Sequence, residues 1–179
     1  SPEPYGVLVF HSGALSPDEV KVVEALKTFG YDDKSSANYT VRTIDLKAAS
    51  EEDRAVWDGR PDASLAAPAI LVQYPQVRNG PEGVAFGGPL HPDTAAAIMD
   101  SPARRRVAQA IVAKETGSWL LIESGDKKAD DAAAELLQGQ FKTLAKELQR
   151  EPDPDVPELP QVKFGTVRVS RTDPAERCL

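Results

Sequence analysis

The fold is decided by Val7-Leu8-Val9-Phe10-His11-Ser12-Gly13-Ala14-Leu15-Ser16-Pro17, which joins an apolar run to a polar loop and a helix start. A short, continuous apolar run is typical of a strand that is covered on both faces in a parallel or mixed sheet. Ser16 is placed to cap a helix that begins at Pro17, since the first helical residue needs no N–H donor. The stretch therefore predicts a buried strand, a polar loop and a helix.

Three further strands are predicted after this opening. Gly30 is expected to end the first helix, and residues 39–46 then alternate as a strand of a β-α-β unit. Residues 69–74 and 84–86 are separated by a turn rich in Pro, Asn and Gly, which is typical of an antiparallel hairpin. The pattern predicts a four-stranded mixed sheet.

Helix starts lie between and after these strands. Ser50 is expected to cap a short helix that directs residues 55–57 inward, and Pro92 and Ser101 mark two more helix starts. Together these elements predict a first domain at residues 1–115.

The remaining residues, 116–179, repeat the opening in outline. Trp119-Leu120-Leu121-Ile122-Glu123-Ser124-Gly125 matches residues 7–13 in pattern, and it predicts a second buried strand that enters a Ser-Gly loop. A long helix, a proline-rich linker, a last strand and the start of a polar helix are expected at residues 128–149, 151–160, 164–169 and 173–177. The segment predicts an incomplete second β-α-β unit.

The element order of residues 5–115 resembles the thioredoxin-like fold. Pro68 lies where members of that family carry a cis-proline before the third strand. The resemblance implies an α/β three-layer sandwich with a mixed central sheet, followed in residues 116–179 by part of a second similar module.

Cysteine is missing where the redox members of that family carry it. They hold two cysteines, separated by two residues, at the start of the first helix, where the helix dipole stabilises a thiolate. Residues 11–16 contain no cysteine, and the one cysteine of the chain is Cys178. A serine hydroxyl cannot replace a thiolate in disulfide exchange. Thiol–disulfide catalysis is therefore excluded for the first domain, and a non-enzymatic interaction or scaffold module is favoured.

The expected partner is a protein, bound at a sheet edge. The edge residues are His11, Ser12, Gly13, Ala67 and Pro68. One alternative is a hydrolase or transferase that uses the same edge. Against it, His11 and Ser12 are adjacent on an extended segment, so that their side chains point apart, and no acidic residue is identified that would orient the histidine. Another alternative is pairing of the unfinished second unit with a strand of another chain, as a homo-oligomer.

Composition narrows the classes of partner. Twenty-eight acidic and 21 basic residues give a net charge of −7, and no basic stripe with interleaved aromatic residues indicates a nucleic-acid binder. The apolar runs are too short for a membrane span. His11 and His91 are the only histidines and lack the spacing of metal ligands, so no metal, cofactor or catalytic residue is predicted.

Two smaller features have alternative interpretations. Arg104-Arg105-Arg106 at a helix start suits either an anion site or a solvated face, and their angular spread favours the solvated face. The start Ser-Pro-Glu-Pro is typical either of the segment left after export processing or of a deliberate cut. On the first interpretation the protein is periplasmic or extracellular.

Overall fold

The computed structural model describes residues 3–31, 38–149 and 161–178. The loop predicted between the first helix and the second strand falls mainly at residues 32–37, outside these ranges, as does the linker predicted at residues 151–160. The chain divides into two compact units, Ser1–Met99 and Asp100–Leu179. No described helix combines the length and the apolar character that crossing a membrane requires.

The described residues of the first unit form four strands and three helices. The strands are β1 (Tyr5–His11), β2 (Tyr39–Asp45), β3 (Ala69–Gln73) and β4 (Val84–Pro89). The helices are α1 (Pro17–Tyr31), α2 (Glu51–Asp58) and α3 (Pro92–Met99). The predicted type and order of all seven elements are confirmed.

These strands form one mixed sheet in the order β2-β1-β3-β4. β1 runs parallel to β2, with Tyr5 opposite Tyr39. β1 runs antiparallel to β3, with Phe10 opposite Ala69, and β3 and β4 form the predicted hairpin. The first unit is therefore an α/β structure with a four-stranded mixed sheet.

β1 lies at the centre of the core of the first unit. Leu8 and Phe10 pack with Ile44 and Leu71 of the neighbouring strands, under the partly buried side chains of Val56 and Trp57 from α2. Successive side chains of a strand point to opposite faces, so Val7 and Val9, both fully buried, lie on the other face. Burial on both faces confirms that β1 is a central strand.

Ala55, one of the three α2 residues that were predicted to face inward, faces outward. Ala55 is exposed, whereas Val56 and Trp57 pack against the core. A helix turns about 100° per residue, so three consecutive side chains cannot all face one core.

Gly30 does not end α1, as was predicted, because the helix continues to Tyr31. The reason for a glycine here is a close approach: a Cβ atom at position 30 would lie 2.7 Å from Cε2 of Tyr39. That ring is buried and held in place, since its hydroxyl donates a hydrogen bond to the Leu26 carbonyl at 2.9 Å. The ring therefore occupies the space that a side chain at position 30 would need.

Gly30→Ala is expected to destabilise the first unit. Glycine-to-alanine changes inside helices ordinarily stabilise by about 1 kcal/mol, but here the new methyl group meets an anchored ring. Gly139 in the second unit is a matched control, because nothing lies within 4 Å of its Cβ position. Urea unfolding should therefore show a loss of stability for Gly30→Ala and a gain for Gly139→Ala. A gain in both variants would contradict the packing described for Tyr39.

In the second unit, residues 100–149 and 161–178 form three helical segments and two strands. They are α4 (Pro102–Val112), β5 (Gly117–Glu123), α5 (Lys127–Leu148), β6 (Phe164–Ser170) and a 3-10 turn at Pro174–Glu176. β5 and β6 are parallel, with Gly117 opposite Phe164 and Glu123 opposite Ser170. The predicted β-α-β unit is confirmed, but the polar helix expected at its end is a single 3-10 turn.

The helix α4 belongs to the second unit, although the sequence placed it in the first. The observed division falls after Met99 instead of at residue 115. Ala103 of α4 packs with Val167 and Val169 of β6, and Val107 lies against the same cluster. α4 therefore covers one face of the two-stranded sheet.

β5 is less buried than its sequence predicts. Trp119, Leu120 and Ile122 are 42%, 43% and 45% exposed, whereas the residues of β1 that match them in sequence pattern are almost fully buried. The reason is the number of neighbouring strands. β1 is flanked by two strands, whereas β5 pairs only with β6 in the described part of the chain.

Candidate functional site

The predicted edge residues meet at the end of β1. Beyond the last β1 and β3 pair, Phe10 with Ala69, the next residues of these antiparallel strands are His11 and Pro68. The peptide bond between Ala67 and Pro68 is cis, as the thioredoxin-like resemblance implies. We name the surface formed by His11, Ser12, Gly13, Ala67 and Pro68 the β1 corner.

The imidazole of His11 is fixed by its own loop. Its Nδ1 lies 2.6 Å from the Gly13 carbonyl oxygen, which can only accept, so Nδ1 carries the hydrogen. The loop reaches this geometry because Gly13 has φ of +101°, a left-handed conformation that favours glycine. No hydrogen bond joins His11 to Ser12 among the described residues, so a base and nucleophile pair is not assembled there.

The β2 side of the corner is held by main-chain contacts. Leu46 N donates to the His11 carbonyl at 2.8 Å, and Lys47 N donates to the Asp45 carboxylate at 2.9 Å. Arg54 of α2 reaches back to the Leu46 carbonyl at 2.8 Å. These bonds hold the segment that follows β2 against the end of β1 and against α2.

Ser16 and Glu19 form a capping box at the start of α1. Glu19 N donates to the Ser16 hydroxyl at 3.3 Å, and Ser16 N donates to the Glu19 carboxylate at 2.6 Å. The predicted cap at Ser16 is confirmed, whereas the partner role of Glu19 was missed, although the Ser-x-x-Glu spacing carries that signal. Ser16 and Glu19 are separated by two residues, which is the spacing of a redox cysteine pair at a helix start.

Arg60 organises the loop that leads to Pro68, and sequence reasoning also missed it. Its guanidinium donates to the carbonyls of Trp57, Ala63 and Leu65 at 2.9, 2.8 and 3.1 Å. It also lies 4.4 Å from the centroid of the Trp57 ring, within the range of a cation–π contact. One side chain thus ties α2 to the segment before the corner.

A groove of about 640 Å³ borders the β1 corner. One wall includes Glu19, which is bonded to Ser16, and the other includes Leu90, whose N–H donates to the Pro68 carbonyl at 3.1 Å. The apolar lining comes from α1, from α3 and from the segment before α3: Val22, Ala25, Leu90, Ala95 and Met99. Asp18, Glu19, Lys21 and His91 give the groove polar edges.

The second unit has a similar loop with a different anchor. β5 leads into Ser124 and Gly125, which has φ of +97°. The buried Asp130 carboxylate accepts from Ser124 N at 2.8 Å, from the Ser124 hydroxyl at 2.8 Å and from Gly125 N at 3.1 Å. These hydrogen bonds, with that of Ser124 N foremost, hold the pKa of Asp130 below its ordinary value of 3.8.

Asp130→Asn is expected to lower the stability of the second unit at neutral pH. The three hydrogen bonds go to both oxygens of the charged carboxylate, whereas the amide of asparagine is neutral and has one oxygen. A depressed carboxyl pKa stabilises the fold above the ordinary value, and this contribution is lost as the pH falls through the lowered value. The difference between wild type and Asp130→Asn should therefore shrink below about pH 3.8.

The measurement is urea unfolding of the second unit at several pH values, followed through Trp119 fluorescence in a Trp57→Phe background that leaves one tryptophan. Asp18→Asn is the control, since that carboxylate is 90% exposed and, among the described residues, forms its ion pair with Lys21 at the surface. A difference for Asp130→Asn that stays constant across the acid range would contradict the role of the charged carboxylate.

Cys178 is not placed for thiol chemistry. Burial raises the pKa of its thiol to about 11, against the opposing charges of Arg104 and Arg177. At neutral pH about one thiol in ten thousand is then ionised, and the thiolate is the reactive form.

The anion site considered at the start of α4 is filled by the chain itself. The Glu176 carboxylate accepts from Ala103 N at 2.7 Å, and Ser101 caps the helix by accepting from Arg104 N at 3.1 Å. Arg105 pairs with Asp100 at 3.3 Å. The arginine run therefore lies at a helix start that already holds a carboxylate.

Within residues 3–31, 38–149 and 161–178, no group of three or more His, Cys, Asp or Glu side chains is close enough to hold a metal ion.

Comparisons with protein-family models, with curated proteins and with solved structures find no match. The functional argument therefore depends on the site itself.

Proposed function

We propose that the first unit is a thioredoxin-like module without thiol–disulfide activity, and that it binds an extended segment of a partner protein at the β1 corner and in the adjoining groove. The sheet order β2-β1-β3-β4 and the proline that directly precedes β3 support the resemblance. On this proposal the helices α1 and α3 cover one face of the sheet and α2 the other, which gives three layers.

The observation that carries the proposal is what occupies the redox position. The start of α1 beside the corner holds a capping box of Ser16 and Glu19. Neither side chain can form a disulfide with a substrate. The cysteine of the chain, Cys178, is held in its unreactive form by burial. On this proposal, the start of α1 occupies the position of a redox site but has no side chain that can exchange disulfides.

The geometry suits an extended polypeptide. Ala67 lies beyond the β1 and β3 ladder, so its main chain can pair with a segment that crosses the corner. The groove beside it offers an apolar floor to one side chain of that segment. Its edge carries two carboxylates, Asp18 and Glu19, against one ammonium, Lys21, and this excess of negative charge favours a neighbouring basic residue. The expected ligand is an extended segment with an apolar residue next to Lys or Arg.

The binding function is tested by selecting ligands from a random peptide library displayed on phage. Peptides of the expected pattern should be recovered, and their binding should be lost in Ala67→Glu and in Ala25→Glu, which places a charge in the groove. Ala55→Glu is the matched control, since Ala55 is exposed on α2 and outside the groove. Selected peptides that bind both corner variants as well as wild type would overturn the proposal.

The enzyme alternative is distinguished by a second pair of variants. A hydrolase or transferase that used His11 and Ser12 would lose turnover in His11→Ala and in Ser12→Ala. A binding module would keep its affinity for the selected peptide in Ser12→Ala, because that side chain makes no hydrogen bond within the described corner.

A further inference from the structure

The sheet edges of this chain differ in how well they are protected against pairing. Exposed edge strands are commonly blocked by a charged residue or a proline. Among the described residues, the edge strands β2 and β6 each carry an arginine inside the strand, Arg42 and Arg168, and β4 ends with Pro89. β5 has no proline, and its charged residue, Glu123, lies at its last position and is paired with Arg168 at 2.6 Å.

The unprotected edge is also the most apolar one. Trp119, Leu120 and Ile122 are each more than two-fifths exposed, although all three lie in a strand whose sequence is typical of a buried one. A two-stranded sheet buries little by itself, and three or more strands are usually needed for stability. The edge of β5 therefore has the properties of a surface that is covered by another strand.

The first unit shows what kind of strand fits. β1 and β2 pair in parallel over seven residue pairs, and β5 and β6 do the same. The other edge of β1 is taken by an antiparallel strand, β3. By this internal comparison, the strand that completes β5 runs antiparallel to it.

We propose that the edge of β5 is a dimerisation surface, on which β5 pairs antiparallel with β5 of a second copy of this chain to give the continuous sheet β6-β5-β5-β6. In the register that pairs all seven residues, Leu120 lies opposite Leu120 of the other copy. Trp119 then lies opposite Leu121, and Glu123 lies opposite Gly117.

Pairing of β5 with a second copy of itself brings apolar side chains together and avoids repulsion between charges. No two like charges lie opposite each other, and each half of the interface supplies the same apolar set. A two-fold symmetric contact uses one surface on both partners, which explains why a single unprotected edge is sufficient. The inference is independent of the binding function proposed for the first unit.

The test is the mass of the full chain by light scattering at micromolar concentrations. Wild type should have twice the chain mass of 19.3 kDa. Leu120→Lys should have the mass of one chain, because two lysines would face each other across the dimer axis. Leu136→Lys is the matched control: Leu136 is 65% exposed on α5 in the same unit, and this variant should remain dimeric.

Two results would overturn the proposal. The first is a wild-type protein that is monomeric throughout this concentration range. The second is a Leu120→Lys variant that keeps its dimer, since the contact would then lie elsewhere. The far-ultraviolet circular dichroism of each variant is compared with wild type, and Ile122→Lys, on the same face of β5, replaces Leu120→Lys if that variant does not fold.

Discussion

The double substitution Ser16→Cys and Glu19→Cys is expected to turn the first unit into a disulfide reductase. The two cysteines would lie at the start of α1 with two residues between them. A thiolate at position 16 would accept a hydrogen bond from the main-chain N–H of residue 19, which the serine hydroxyl accepts now, and the helix dipole would lower the pKa of that thiol. The thiolate would attack a substrate disulfide, the second cysteine would release the product, and dithiothreitol would restore the pair.

The measurement is the reduction of insulin by dithiothreitol in a Cys178→Ser background. We expect a rate at least about tenfold above that background, because the first cysteine then supplies the attacking thiolate and the second cysteine releases the reduced product. Ser50→Cys with Asp53→Cys is the matched control, because Ser50 caps α2 in the same way, at 3.1 Å from Asp53 N, but follows the edge strand β2. Equal rates for the two cysteine pairs would show that the corner contributes nothing.

Phe10→Ala is expected to have the largest effect on the stability of the first unit. Phe10 is fully buried, and its ring centroid lies 5.2 Å from that of Trp57. Replacing a buried phenylalanine by alanine costs about 3–5 kcal/mol, because the free energy of burying the ring is lost and a cavity is left in its place. The loss should appear in urea unfolding followed through Trp57, in a Trp119→Phe background that leaves one tryptophan.

Tyr5→Ala is the control for this prediction. Tyr5 is in the same strand, and its ring lies tilted at 46° to that of Tyr74 with centroids 6.2 Å apart, but Tyr5 is 40% exposed. Its loss should cost about 1 kcal/mol. If Phe10→Ala costs no more than Tyr5→Ala, then β1 is not the centre of the core.

The predictable part of the fold is the part that short sequence patterns determine. Apolar runs and alternation identify β1 to β4, because each strand is covered in a way that its own residues reflect. Caps are equally local, and Ser16, Ser50 and Ser101 all accept main-chain bonds at helix starts. The position of Pro68 next to His11 was predicted only through the resemblance, since no local pattern gives the register of β3.

The missed features depend on residues that are distant in sequence. Gly30 was interpreted as a helix end, but the structure uses it to admit the ring of Tyr39. Arg60 makes its three bonds to carbonyls, which no side-chain pattern reveals. The exposure of β5 follows from the absence of a second neighbouring strand in the described residues, and a strand's own sequence does not report its neighbours.

The central claim is that the two segments of the β1 corner, residues 11–13 and 67–68, form one binding surface, and ¹H–¹⁵N NMR titration with a peptide selected on the wild-type protein tests it most directly. The amides of residues 11–13 and of Ala67 should shift together and saturate with the same Kd, and the amides of α1 and α3 that line the groove should shift with them. Shifts that reach only one of the two segments, or that are confined to residues away from both, would contradict the account.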